Sequence, residues 1–166
     1  MKNLICTALD KIFTVFIVIL FCQLPLFIEQ YEMRLSGHVQ ESALLVKELE
    51  RNAGVANKTL PEYIQKLLKN DDRDVLLAGQ LLQNALARNK DLTYALTRLL
   101  NANPFTRPFV FLFHLQGDVV TETYQNFTFG LSLTLETVLY AAIGLLMAVA
   151  LLQLARHLWK KLRPSG

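Results

Sequence analysis

Residues 25–41, PLFIEQYEMRLSGHVQE, join an apolar sequence to a charged one without a break. Before this stretch, residues 12–28 are apolar over most of the roughly 20 residues that a helix needs to cross a bilayer. After it, apolar residues recur every four and three positions as far as Ala53, a spacing that keeps one helix face on a partner. The stretch therefore predicts one long helix that crosses a membrane and continues beyond it as a stalk.

The composition excludes several classes of protein. Hydrophobic residues make up 52% of the chain and charged residues 19%, which indicates apolar segments flanking an ordinary polar region rather than a transporter of many spans or a soluble enzyme. The net charge of +3 is too small to indicate nucleic-acid binding. Cys6 and Cys22 cannot pair along one helix, and no HxxxH or HExxH pattern occurs, so we expect no disulfide, metal or cofactor.

A second apolar segment, residues 131–155, completes the predicted membrane topology. Lysine and arginine gather at both ends of the chain, at Lys2 and Lys11 before the first segment and at Arg156, Lys160, Lys161 and Arg163 after the second. Because these residues concentrate on the cytoplasmic side of membranes, residues 1–11 and 156–166 are predicted to be cytoplasmic and residues 29–130 periplasmic. A cleaved signal peptide is disfavoured because residues 21–25, FCQLP, lack the small residues of a cleavage site.

Between the two segments the sequence predicts helices and no strands. The fold class is therefore an all-α membrane protein, with two transmembrane helices and a helical hairpin between them. The predicted parts of residues 29–130 are a stalk helix at about 29–53 that Gly54 ends, a short helix at 60–69, a long helix at 74–101, an aromatic segment at 105–115 and a short helix at 118–127.

Two helical stripes predict how the hairpin closes. The first stripe contains Leu35, Val39, Ser42, Val46, Leu49 and Ala53, and the second contains Val75, Ala78, Leu82, Ala85, Asn89, Leu92, Leu96 and Leu99. Each stripe has one polar interruption. In an antiparallel hairpin Ser42 and Asn89 lie at similar heights, so they can meet, or Asn89 can meet His38 one turn lower.

The aromatic segment is too short to span a bilayer, and it reads as an interfacial segment or as a helix packed under the domain. The chain must return to the membrane to begin its second span. We therefore expect Phe105, Phe109, Phe111 and Phe113 to lie near the outer membrane surface.

Polar residues near the spans are candidate binding sites. Tyr31, Arg34, His38 and Glu41 lie within three turns just after the first segment, where they form either a lipid-headgroup or partner site or an ordinary solvated face. Glu136 is either a functional acid inside the second span or a carboxylate stabilised by the nearby helix N-terminus. Gly144 and Ala148 either permit close helix contact or simply fill the span.

Two blocks of sequence resemble one family. The first block is Pro25-Leu-Phe27, Gln30-Tyr31, Arg34-Leu35, His38 and Glu41, and the second is residues 127–134, FTFGLSLT. They are similar to an uncharacterised bacterial family, domain of unknown function 2937. The resemblance implies a small two-span protein of the bacterial inner membrane, and it implies no chemistry.

The sequence thus favours a non-enzymatic, multi-pass inner-membrane protein that binds membrane lipid and a membrane or envelope protein, or itself. One alternative is an accessory subunit of a larger membrane complex. Another is a lipid-binding or small membrane-enzyme role that uses Arg34, His38 and Glu136.

Overall fold

The computed structural model describes residues 2–130 and 134–162, and the side chains of residues 8–130 and 134–158. Within those residues the chain forms six α-helices and no strand, and two of the helices are long and apolar enough to span a membrane. The predicted all-helical fold class is therefore confirmed. The helices are α1, Lys2–Val55; α2, Leu60–Leu68; α3, Arg73–Leu100; α4, Arg107–Phe113; α5, Gly117–Gln125; and α6, Leu135–Leu162.

The chain divides into two compact units. The terminal unit comprises Met1–Gln30 and Asn126–Gly166, and the central unit is Tyr31–Gln125, so that α1 contributes to both. The predicted start of the second span, at residues 131–133, lies outside the described residues, as do the side chains of Lys2, Cys6, Lys160, Lys161 and Arg163.

The end of α1 differs in detail from the prediction. Gly54 lies inside the helix, and the residue with a positive φ is Asn57, at 53°. The Lys58 N–H donates to the Ala53 carbonyl at 3.1 Å, and the Asn57 N–H donates to the Gly54 carbonyl at 2.9 Å. These bonds form a Schellman cap, in which asparagine takes the left-handed position more commonly held by glycine.

The tip of the hairpin holds a buried apolar cluster that joins α1, α2 and α3. Ala53, Leu60 and Ile64 are buried together, and the partly buried residues around them are Val46, Leu49, Tyr63, Leu68, Leu82 and Leu86. Since residues 46–53 of α1 share this cluster with residues 82–86 of α3, while Ser42 meets Asn89 further from the tip, the two helices run antiparallel.

The prediction that Ala78 belongs to the second buried stripe is wrong. Ala78 is exposed, and its neighbour Gly79 is buried instead. A Cβ on Gly79 would lie 2.9 Å from the Leu67 Cβ and 3.1 Å from the Leu68 nitrogen. Glycine is therefore needed where α3 crosses α2. The spacing of apolar side chains in the sequence does not indicate this contact.

In the terminal unit α1 and α6 also run antiparallel. Arg156 pairs with Asp10 near one end, and Phe21 packs on Gly144, where an added Cβ would lie 2.8 Å from the Phe21 Cβ. Gly144 and Ala148 are both buried. Gly144 thus permits close contact of α6 with α1, as the first of the two interpretations of this pair expected.

Candidate functional site at the start of the central unit

Tyr31 is the first residue of the central unit and one of its most deeply buried side chains, at 1% exposure. Its hydroxyl oxygen accepts a hydrogen bond from the Gln116 N–H at 3.0 Å. Its ring meets Phe111 edge-to-face, with 4.9 Å between ring centroids. Burial raises the pKa of the Tyr31 phenol, and the hydrogen bond from Gln116 opposes that rise. Tyr31 therefore acts as a core residue joining α1 to α4 and to the start of α5.

The aromatic segment has one inward-facing phenylalanine. Phe111 is 7% exposed, whereas Phe105, Phe109 and Phe113 are all exposed. Beside Phe111, Arg107 of α4 forms an ion pair with Glu32 of α1, and both side chains are about one-fifth exposed, at 20% and 21%. Phe111 is thus the anchor of the segment and not part of its exposed surface.

Two polar contacts, a His38–Glu122 hydrogen bond and an Arg88–Asp118 ion pair, fasten α5 to the hairpin. His38 Nε2 on α1 lies 3.0 Å from a Glu122 carboxylate oxygen, and Arg88 on α3 pairs with Asp118. The hydrogen bond from Arg88 lowers the pKa of the Asp118 carboxyl. The α5 residues Val119 and Thr123, which directly follow these two acidic residues in the sequence, are completely buried.

The four candidates near the first segment, Tyr31, Arg34, His38 and Glu41, differ in their contacts. Tyr31 binds Gln116, and His38 binds Glu122. Arg34 is half-buried and Glu41 is exposed, and neither side chain makes a hydrogen bond or ion pair with another described residue. A lipid-headgroup site built from all four residues stays a prediction. The His38–Glu122 pair could not be foreseen, because the two residues are 84 positions apart.

The polar interruptions of the two stripes lie together. Asn89 Nδ2 donates to Ser42 Oγ at 2.9 Å, and the Ser42 hydroxyl also donates to the Val39 carbonyl at 3.1 Å. This is the first of the two contacts that the register suggested, because His38 is engaged with α5 instead. The role of the pair in fixing the register stays a prediction.

Two glutamines of α1 bind the non-helical residues just after α5, and neither contact was predicted from the sequence. Gln30 Nε2 donates to the Thr128 carbonyl at 2.9 Å, and its Oε1 accepts from the Thr128 N–H at 3.2 Å. Gln23 Nε2 donates to the Gly130 carbonyl at 3.0 Å. Side-chain amides here take the place of the missing helical hydrogen bonds. Their spacing of seven residues on one helix face was the available clue.

Glu136 lies in the first turn of α6. Thr134 precedes it, and the Thr134 hydroxyl oxygen accepts from the Thr137 N–H at 3.2 Å, as a helix-capping residue does. This position agrees with a carboxylate stabilised by the helix N-terminus, and a functional role for Glu136 stays a prediction.

The described residues contain no group of three or more His, Cys, Asp and Glu side chains that could hold a metal ion. The polar contacts above are pairwise and mostly structural. The region also has exposed apolar surface on α4 and on the hairpin.

The family described as "Protein of unknown function (DUF2937)" matches residues 5–164. The match covers nearly the whole chain, and the chain belongs to this family. The two sequence blocks that carry the resemblance meet in the terminal unit, where Phe27 packs on Phe127 with 5.3 Å between ring centroids and Gln30 binds Thr128. Neither the curated proteins nor the solved structures give a match.

Proposed function

We propose that the chain is a non-enzymatic membrane protein with two spans, and that it acts by binding a membrane or envelope protein through its central unit. The spans are the N-terminal part of α1 and α6. Their most apolar windows are only 11% and 17% buried within the chain. Apolar surface on this scale needs a cover other than water, and lipid supplies one.

The observation that carries the binding role is that three large leucines of the hairpin are exposed, Leu45 on α1 and Leu77 and Leu81 on α3. We infer from helical spacing that they form one leucine patch. Leu45 lies seven residues after His38 on α1, and Leu81 lies seven before Arg88 on α3. Seven residues are nearly two helical turns. Leu45 therefore faces the same side of α1 as His38, and Leu81 faces the same side of α3 as Arg88. His38 and Arg88 both bind α5, and the patch therefore continues the α5-binding face towards the tip.

The way α5 binds suggests the kind of partner. α5 buries Val119 and Thr123, four residues apart, and it pairs its two acidic residues with the hairpin. It is only 9 residues long and leaves the leucines uncovered. An amphipathic helix of another protein, lying end to end with α5, would bury the patch in the same manner.

The location follows from charge. Lys and Arg at both ends of the chain favour a cytoplasmic position for the termini and an external, periplasmic position for the central unit. The partner would then be a protein of the inner membrane or of the periplasm.

Copurification from native membranes tests the binding role. Leu45→Ser and Leu81→Ser should each reduce the yield of a stoichiometric partner about tenfold or more. The reason is that full burial of a leucine side chain against the partner contributes roughly 1.5–3 kcal/mol. Leu44→Ser is the matched control. Leu44 and Leu81 are both 69% exposed, and Leu44 lies about 100° around α1 from Leu45.

Equal partner yields from all three variants, or a wild-type chain that copurifies with lipid alone, would contradict the binding role. A partner that is a large membrane complex would favour the accessory-subunit form of the proposal. Recovery of a second copy as the partner would make the patch a self-association surface.

A further inference from the structure

The helix α4 is anchored on one side and uncovered on the rest. Phe111 packs against Tyr31, whose hydroxyl is held by the N–H of Gln116. The apolar residues that remain in and beside the helix are exposed: Phe105, Phe109, Leu112 and Phe113, with Phe113 the most exposed at 82%. Four large apolar side chains in nine positions form the kind of contiguous patch that marks a binding surface.

The exposed side of α4 carries no charge. The helix reads RPFVFLF, and its one charged residue, Arg107, is engaged by Glu32. A protein partner usually needs polar groups at the rim of its contact, whereas a lipid surface is satisfied by apolar and aromatic side chains alone. The chemistry of the patch therefore fits lipid better than protein.

The anchor of α4 lies close to the end of the first predicted span. Tyr31 and Glu32 follow residue 28 by three and four positions on the uninterrupted helix α1. At about 1.5 Å per residue this is roughly 5–6 Å, so α4 is attached to α1 at about the depth where aromatic residues gather at the membrane boundary.

We propose that α4 is a membrane-interface helix, in which Phe109, Leu112 and Phe113 insert among lipid acyl chains while Phe111 and Arg107 hold the helix to α1. This inference rests on the proposed two-span membrane protein and adds a lipid-binding surface outside the spans. It places the first turns of the central unit at the bilayer surface and leaves the leucine patch free for a protein.

Tryptophan fluorescence of the full chain in lipid vesicles tests the inference. The background is Trp159→Phe, which removes the one native tryptophan. Phe113→Trp is compared with Leu81→Trp after reconstitution into phosphatidylethanolamine–phosphatidylglycerol vesicles with and without brominated acyl chains. The brominated acyl chains should quench the fluorescence of the Phe113→Trp variant at least about twofold more strongly than that of Leu81→Trp. The emission of the Phe113→Trp variant should also be shifted to the blue. Phe109→Trp provides a second probe if Phe113→Trp does not fold.

Flotation of the vesicles separates this inference from the proposed function. Protein that floats with equal lipid quenching at residues 113 and 81 overturns the role of α4 and leaves the two spans intact. Shielding of residue 113 from aqueous iodide without quenching by lipid also overturns it, because a protein must then cover α4. A chain that does not float with the vesicles contradicts the spans themselves, and the role of α4 with them.

Discussion

At the scale of single residues, one hydrogen bond, from Asn89 to Ser42, joins the polar interruptions of the two stripes. Asn89 donates to Ser42, and Ser42 keeps its own bond to the Val39 carbonyl. Loss of Asn89 therefore leaves the serine hydroxyl with an acceptor. Loss of Ser42 leaves a half-buried amide without one. A substitution that leaves a buried donor without an acceptor costs more than one that leaves every remaining polar group with a partner.

We predict that Asn89→Leu raises the thermal stability of the chain, because leucine completes the apolar stripe of α3. A gain of about 1 kcal/mol corresponds to a rise in Tm of about 4–8 °C for a domain the size of the central unit, Tyr31–Gln125. Ser42→Ala is the matched variant and should lower stability by about 1–3 kcal/mol. Thermal unfolding followed by circular dichroism in detergent checks both, and a Tm that falls equally in the two variants would contradict the asymmetry.

The same pair predicts a crosslink. With Cys6 and Cys22 replaced by serine, cysteines introduced at positions 42 and 89 should form a disulfide within one chain, since the two side chains are in contact. Gel electrophoresis without reductant distinguishes the products. Efficient crosslinking only between chains would mean that the stalk pairs with a second copy and that the intramolecular hairpin is wrong.

At the scale of the helices, glycine decides how closely two of them approach. Gly79 and Gly37 both lie inside helices of the central unit, but a Cβ on Gly79 would meet α2, whereas nothing lies within 4 Å of one on Gly37. The sequence shows two similar glycines, and the structure gives them opposite roles.

We predict that Gly79→Ala destabilises the central unit by about 1–2 kcal/mol. The close contact costs about 1–3 kcal/mol, and the gain in helix propensity of up to about 1 kcal/mol offsets part of it. Gly37→Ala is the control and should stabilise by up to about 1 kcal/mol. Chemical denaturation of both variants in detergent measures the difference. A stabilising Gly79→Ala would show that α2 and α3 do not approach as closely as the structure has them.

The helices also show which parts of the fold are readable from sequence. Heptad spacing over five or more positions indicates α1 and α3, and a capping pattern indicates the start of α2. The inward turn of Phe111 was not predictable, because the seven residues of α4 form fewer than two turns and give no clear period. The glutamine contacts of α1 with Thr128 and Gly130 join residues 98 and 107 positions apart, which no local pattern encodes.

At the scale of the whole molecule, the proposed topology has two apolar segments that cross a membrane in opposite directions. Length and composition are evidence for spans, and the charge at the two ends of the chain is evidence for their direction. The candidate site is harder to predict from sequence, because Tyr31 and His38 bond to residues 85 and 84 positions away.

The accessibility of single cysteines in intact cells tests this account most directly. In a background without Cys6 and Cys22, Lys69→Cys lies near the tip of the central unit and Ser165→Cys lies at the C-terminus. A membrane-impermeant maleimide should label residue 69 in intact cells, and it should label residue 165 only after the inner membrane is permeabilised. Labelling of both residues, or of neither, in intact cells would contradict a two-span protein with its central unit outside the membrane and its termini inside.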